Sequence, residues 1–161
     1  MLVAYRANIE TKFGAFVVIG DEEKIYFLQL KGHQRIQKWP FTIVDGYTKP
    51  MRSIEQELNE YFEGNLTTFK TPIALWGTEF QKSVWQELQN IPFGQTVSYS
   101  EIAKKINRSK AFRAVANANG ANKIAIVIPC HRIINSNGDL GGYAGGVERK
   151  EWLIKHEQRN R

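Results

Sequence analysis

A single cysteine stands inside the run Pro129-Cys130-His131-Arg132. A thiol becomes a nucleophile as its thiolate, and a neighbouring base or cation is the usual means of forming it. His131 can accept a proton and Arg132 brings positive charge, so these four residues could carry covalent chemistry. A lone cysteine behind an apolar run is also a common buried, inert hydrophobe. Both readings stand on the residues alone. On an extended chain Cys130 and His131 would point to opposite faces. His131 then helps Cys130 only if the chain bends there or a water bridges the two. Pro129 fixes the backbone just ahead of the cysteine. Asn122, at the mouth of the preceding apolar run, has an amide that can cap exposed backbone groups and hold a turn.

Other candidates are weaker. Gly141-Gly142-Tyr143-Ala144-Gly145-Gly146 lacks the Gly-Lys-Ser/Thr ending of a P-loop and the spacing of a dinucleotide fingerprint. It reads as a mobile wall that holds Tyr143 against a planar ligand. His33 has no cysteine or second histidine near it and reads as a surface residue. One cysteine forms no internal disulfide and leaves too few thiolates for a cysteine-based zinc site, so no metal is expected. The expected setting is a reduced cytoplasm.

Charge divides the 161 residues. Met1 to Leu75 carries nine basic and nine acidic residues, whereas Trp76 to Arg161 carries thirteen basic and seven acidic, the whole net charge of +6. A basic half beside a neutral one suits a polyanionic partner, although solubility is the plainer reading. No apolar run of about 18 residues exists, so no membrane span is expected. Met1 to Glu10 lacks the layout of a signal peptide.

The elements that must position these residues follow the same division. Leu2–Ile9, Phe13–Ile19 and Lys24–Leu30 are rich in β-branched and aromatic residues and predict three strands of an antiparallel meander. Ser53-Ile54-Glu55-Gln56 fits a capping box opening a helix with Ile54, Leu58, Tyr61 and Phe62 on one face. Residues 67–73 read as a linker. Thr78-Glu79-Phe80-Gln81 and Ser98-Tyr99-Ser100-Glu101 cap two further helices. A helix from about Lys110 to Asn119 follows, rich in alanine, with Ala114 beside Arg113 and Gly120 ending it. The last two helices, joined by a tight turn, suit a helix-turn-helix, and equally a plain helical hairpin. Small side chains let such a helix approach DNA closely, or another helix. Ile124–Ile128 reads as a strand buried on both faces, continued by Ile133-Ile134. Asn137-Gly138 reads as a hairpin turn, and Glu148–His156 as a closing helix.

Pro129-Cys130-His131-Arg132, preceded by Ile124–Ile128, resembles the active-site signature of the O6-alkylguanine-DNA alkyltransferases, or methylated-DNA–protein-cysteine methyltransferases. The resemblance runs from about Gly77 to Glu157. It takes in Ile91-Pro92-Phe93-Gly94, Val97-Ser98-Tyr99, Phe112-Arg113-Ala114-Val115, Asn119-Gly120-Ala121-Asn122, Gly141–Gly146 and Lys150-Glu151-Trp152-Leu153. A weaker likeness to the family's N-terminal domain lies in Leu58–Gly64. The fold it implies is α+β: residues 1–75 form a small antiparallel-sheet domain with a helix, ribonuclease-H-like in the family. Residues 76–161 form a mainly helical DNA-binding and alkyl-acceptor domain, with a helix-turn-helix and a short strand leading to the cysteine.

The resemblance also implies roles. Cys130 accepts the alkyl group; His131, acting through water and oriented by Glu157, deprotonates it. Asn122 belongs to a hinge. Tyr99 gives a proton or hydrogen bond to the departing guanine. Arg113 replaces the extruded base in the DNA stack, with Ala114 and Gly120 on the DNA-binding helix. Tyr143, Ala144 and Lys150 line the pocket. The implied activity is single-turnover direct reversal of damage in double-stranded DNA carrying O6-alkylguanine, with O4-alkylthymine left open, by a monomer without cofactor. The competing class is a non-enzymatic damage-flagging binder, which lacks the cysteine; a general cysteine hydrolase is more remote. Two departures stand out: Ala144 replaces a serine of some members, and Lys123 replaces a proline of many, which predicts a looser hinge.

Overall fold

The computed structural model describes residues 2–33 and 37–161. They form two compact units that meet in sequence between Leu75 and Trp76.

The first unit is built on a four-stranded sheet. Strands β1 (Val3–Thr11), β2 (Gly14–Gly20) and β3 (Ile25–Leu30) pair antiparallel in sequence order, the meander expected from their spacing. The β1–β2 turn is closed by Thr11, whose hydroxyl oxygen accepts from the amides of Phe13 and Gly14. At the β2–β3 turn, a Cβ on Gly20 would lie 2.3 Å from the Lys24 carbonyl oxygen, so the position admits no side chain. A fourth strand, β4 (Thr42–Asp45), joins parallel to β1 at the sheet edge. Four residues with a half-exposed pattern gave it no sequence signal.

Both faces of β2 are covered, which is why Phe16, Val17, Val18 and Ile19 are all buried. Val17 and Ile19 join Ala4 and Phe27 under Trp39, Phe41 and Ile43. Phe16 packs with Phe13 and Phe62 of helix α1 (Lys49–Phe62), the Phe13 and Phe62 rings stacking at 4.9 Å. Burial of each such side chain contributes about 1.5–3 kcal/mol. The predicted apolar face of α1 is present, but the helix starts earlier than the Ser53 box implies. Thr48 is its N-cap and Pro50 sits in its first turn, where a fixed φ is pre-organised and no amide donor is missed. Ser53 lies inside the helix, its hydroxyl 2.7 Å from that of Thr71. The expected linker is docked too. The Glu57 carboxylate accepts from the Lys70 and Thr71 amides, and Ile73 bridges to Ile25 on β3.

The second unit holds four helices and one short strand pair. Helices α2 (Glu79–Leu88) and α3 (Tyr99–Lys105) begin at the two capping boxes read from the sequence, with Thr78 and Ser98 accepting from the amides of Gln81 and Glu101. β5 (Val97–Ser98) runs directly into α3. After α3 the chain turns through Asn107, at φ 60°, into α4 (Phe112–Gly120), which starts two residues later than predicted. Trp85 of α2 donates its indole N–H to the Ala118 carbonyl at 2.9 Å and ties α2 to α4. Helix α5 spans Val147–Asn160, longer at both ends than its sequence signal.

The segment before the cysteine corrects the sequence reading. Residues 124–128 form no strand. They coil through tight turns, with Val127 N–H on the Ala125 carbonyl, Ile128 N–H on the Ile124 carbonyl and Ile126 at φ 72°. Their lack of alternation reflects a coil packed in the core, not a strand covered on two sides. Cys130–Arg132 make one 3-10 turn. The short strand β6 (Ile133–Ile134) follows the cysteine instead of leading to it, and pairs parallel with β5. The Asn137-Gly138 turn closes on itself, Gly138 N–H meeting the Asn135 carbonyl, and joins no hairpin.

Candidate active site

The 3-10 turn supplies the bend that the sequence required. It places Cys130 and His131 in one buried region, with the Cys130 amide on the Ile128 carbonyl at 2.8 Å. Asn122 holds the coil that precedes the turn. Its Nδ2 donates to the Ile128 carbonyl at 2.8 Å, and its Oδ1 accepts from the Ile124 amide at 3.0 Å. Lys123 follows Asn122 in the chain. Its ammonium donates to the Trp76 carbonyl and lies 5.4 Å from the centre of the Trp85 ring.

Behind the thiol sits a fully buried charge network. His131 Nε2 is 2.5 Å from Glu157 Oε2. Arg132 grips the same carboxylate, Nε on Oε1 at 2.7 Å and Nη2 on Oε2 at 3.1 Å, and its Nη1 reaches the Ile91 carbonyl. The Gly94 amide adds a further donor to Oε1. Burial opposes ionisation of Glu157, but His131 and Arg132 overcome it and hold the carboxyl far below the usual range. A charged Glu157 accepts the Nε2 proton. Burial meanwhile pushes His131 below its ordinary value, against the pull of Glu157, and so favours the neutral ring. With Nε2 taken by Glu157, Nδ1 is the nitrogen left to act as a base, and it is buried with no hydrogen-bond partner among the described residues. Arg132, expected to lend its charge to the thiol, is committed to Glu157 instead.

The cation that Cys130 feels is Lys150. Burial raises the thiol, with Cys130 only 8% exposed, while the Asn122 amide and the Lys150 charge pull it back. Lys150 is itself buried on α5, its own value lowered to about 8 by that burial. Its ammonium donates to the carbonyls of Leu140 and Gly142 and so pins the glycine-rich loop. That loop carries Tyr143, whose hydroxyl is pushed up by burial and by the nearby Cys130. Gly141, at φ 76°, lets the loop pass close to Tyr99; a Cβ there would be 3.3 Å from the Tyr99 hydroxyl. Ala144 is exposed.

The residues read from the sequence thus fall into two groups. Cys130, His131, Glu157, Asn122, Tyr99, Tyr143 and Lys150 converge around the thiol. Arg113, Ala114 and Gly120 lie apart, on the exposed face of α4, whose opposite face buries Val115, Ala118 and Asn119. One contributor escaped the sequence reading and another was given the wrong partner. Arg132 serves as the clamp on Glu157, and Asn119 donates from Nδ2 to the Cys130 carbonyl at 3.3 Å. Neither partner is close in sequence, so no local pattern could reveal them.

A two-unit fold with a buried Cys–His–Glu site beside a helix-turn-helix has known counterparts. Residues 4–75 match the 6-O-methylguanine DNA methyltransferase ribonuclease-like domain, and residues 79–159 match the DNA binding domain of the same name. A methylated-DNA–protein-cysteine methyltransferase of Methanosarcina acetivorans is 43% identical over 157 residues, covering 95% of this chain and 97% of that one. The crystal structure of the Mycobacterium tuberculosis O6-methylguanine methyltransferase shares 36% identity at a TM-score of 0.84, covering 98% and 94% of the two chains. The crystal structure of Mycobacterium tuberculosis OGT in complex with DNA aligns at a TM-score of 0.84, with 36% identity and coverage of 99% and 94%. The chain belongs to the 6-O-methylguanine DNA methyltransferase family. The resemblance read from its sequence is thereby borne out, as is the α+β class. The second unit binds DNA. No helix among the described residues is long and apolar enough to cross a membrane.

Proposed function

We propose that this chain repairs double-stranded DNA by moving the alkyl group of an O6-alkylguanine onto Cys130, once per molecule. One observation carries this reading: His131 is held through Nε2 by Glu157 at 2.5 Å, which leaves its Nδ1 buried and without a hydrogen-bond partner among the described residues, in the turn that carries the thiol. An alkyl carbon on O6 cannot meet a thiolate while the base is stacked, so the nucleotide is first extruded. Arg113, exposed on the DNA-facing helix, fills the gap. The thiol proton passes to His131, by way of water. Sulfur then attacks the alkyl carbon, the carbon–O6 bond breaks, and its electron pair leaves with guanine. Tyr99 supplies the proton or hydrogen bond that guanine needs as negative charge grows on it. Tyr143 and the loop pinned by Lys150 wall the pocket. The thioether has no easy return path, and the lesion itself is the alkyl source, so no cofactor enters. One chain holds every group the reaction uses, which supports a monomer as the acting unit.

Incubation with an oligonucleotide carrying one O6-methylguanine tests this. The expected result is a gain of one CH2 on the Cys130 peptide by mass spectrometry, with one equivalent of guanine formed in the DNA. Tight lesion binding with no mass gain would make the chain a damage-flagging binder instead. The extrusion step has its own test. Arg113→Ala should slow repair of duplex substrate at least about tenfold, since unstacking costs a few kcal/mol. Dealkylation of free O6-benzylguanine should hardly change, and equal losses on both substrates would remove Arg113 from the step.

A further inference from the structure

Phe112 opens α4 with 53% of its surface exposed. Every other phenylalanine among the described residues is buried or half-buried. A phenyl ring left in water forfeits the stabilisation that burial would bring. Its place on the surface is nonetheless fixed. The Ala111 amide meets the Arg108 carbonyl at 2.8 Å, and the Val115 amide meets the Ala111 carbonyl at 2.9 Å, so the backbone on either side of the ring is held.

The surroundings say what covers the ring. From residue 104 to residue 116 the chain carries Lys104, Lys105, Arg108, Lys110 and Arg113 and no acidic residue. All five cations are exposed. A polyanion suits this surface, and a second copy, equally basic, does not. Along a helix, positions four apart share a face. Ala116 and Gly120 follow Phe112 on its row, and they present only a methyl group and a hydrogen. The ring therefore stands as a post at one end of a low strip, along which a duplex can lie close. Arg113 is the next residue, about 100° round the helix, so the two side chains cannot enter the same gap. Consecutive Cα atoms lie about 3.8 Å apart, close to the rise of about 3.4 Å for one base step. With Arg113 in the gap left by the extruded nucleotide, the ring meets the step beside it.

We propose that Phe112 is an apolar wedge against the base step that borders the extruded nucleotide, loosening the stack whose gap Arg113 then fills. The proposal rests on the alkyl-transfer reading and deepens it, because it gives extrusion a second side chain. Apolar side chains set between base steps unstack them and kink the duplex. Burial of a ring that is exposed before DNA arrives offsets part of the cost of opening.

Phe112→Ala in the full chain, compared with Phe112→Leu, tests this. The second-order rate of methyl transfer from an O6-methylguanine duplex should fall about tenfold or more in the alanine variant, the effect of withholding one aromatic side chain from burial. Leucine is still an apolar wedge and should keep the loss within about threefold. Dealkylation of free O6-benzylguanine should stay within about twofold, since no duplex has to be opened. The slope of log affinity against log salt should not change, because no cation is removed. A mismatch placed beside the lesion loosens the step in advance, and the alanine loss should then shrink below about threefold. An undiminished loss on the mismatched duplex would make the ring a plain contact and overturn the wedge. Equal losses on duplex and free base, or a lowered melting midpoint, would make Phe112 structural and overturn it too. So would wild-type duplex repair by the alanine variant, whether or not self-association fell. A wild-type chain that takes no methyl group from the duplex would overturn the alkyl-transfer reading and this proposal with it.

Discussion

Cys130→Ala is expected to abolish alkyl transfer completely while leaving DNA affinity near that of the wild type. The thiol is the acceptor, and no other cysteine exists to replace it. The groups assigned to DNA lie on the exposed face of α4, outside the network around the thiol. Removing one sulfur atom from a buried site should cost about 0.5–1.5 kcal/mol of stability, comparable to loss of one methyl-sized group. Fluorescence anisotropy with a lesion-bearing duplex would measure affinity, and intact mass would measure transfer. Loss of both together would make Cys130 a packing residue. The result also separates the two candidate classes, since a damage-flagging binder would be indifferent to the thiol.

Glu157→Gln should be the most destabilising single substitution in the site. One carboxylate accepts from His131, from two nitrogens of Arg132 and from the Gly94 amide. Neutralising it leaves the Arg132 guanidinium buried without its counter-charge, and breaking a buried pair from one side costs about 3–5 kcal/mol. Urea denaturation at pH 7 would read this as a lower midpoint with little change in slope. The pH dependence has a definite sign. The Glu157 carboxyl is held far below its unfolded value, so its contribution is present above about pH 4.5 and is lost as the medium becomes more acidic. His131, lowered by burial, acts in the same direction over a higher range, because the unfolded chain binds a proton near pH 6.5 before the folded chain does. The wild type should therefore lose stability in two stages on acidification, and the glutamine variant should lack the lower stage. An unchanged midpoint at pH 7, or an identical acid limb, would contradict this account. Transfer should slow too, because a glutamine no longer forces the imidazole proton onto Nε2.

Legibility from the sequence followed the range of the interactions. The α2 and α3 starts were readable because a capping box lies within four residues, and Thr78 and Ser98 form theirs. Ser53 presented the same pattern and misled, since Pro50 had already opened the helix and Thr71 took the serine hydroxyl. The run 124–128 misled for a different reason. Continuous apolar character reports burial, not conformation, and this coil is closed by its own amides and by Asn122. The chemistry around Cys130 was legible as far as residue types went. The sequence reading gave Arg132 to the thiol, and the structure gives it to Glu157, with Lys150 as the nearby cation. Asn119 sat inside a recognised motif without a role, because its partners are set by how α4 packs.

Glu157 follows His131 by 26 residues and joins it to Gly94, 63 residues before the carboxylate. During synthesis, Cys130 and its histidine leave the ribosome before the helix that bears Glu157. Until that helix docks, His131 has no fixed tautomer and Arg132 no counter-ion, so the cysteine is an ordinary thiol. The network that serves Cys130 with a base is therefore assembled only when the last helix docks.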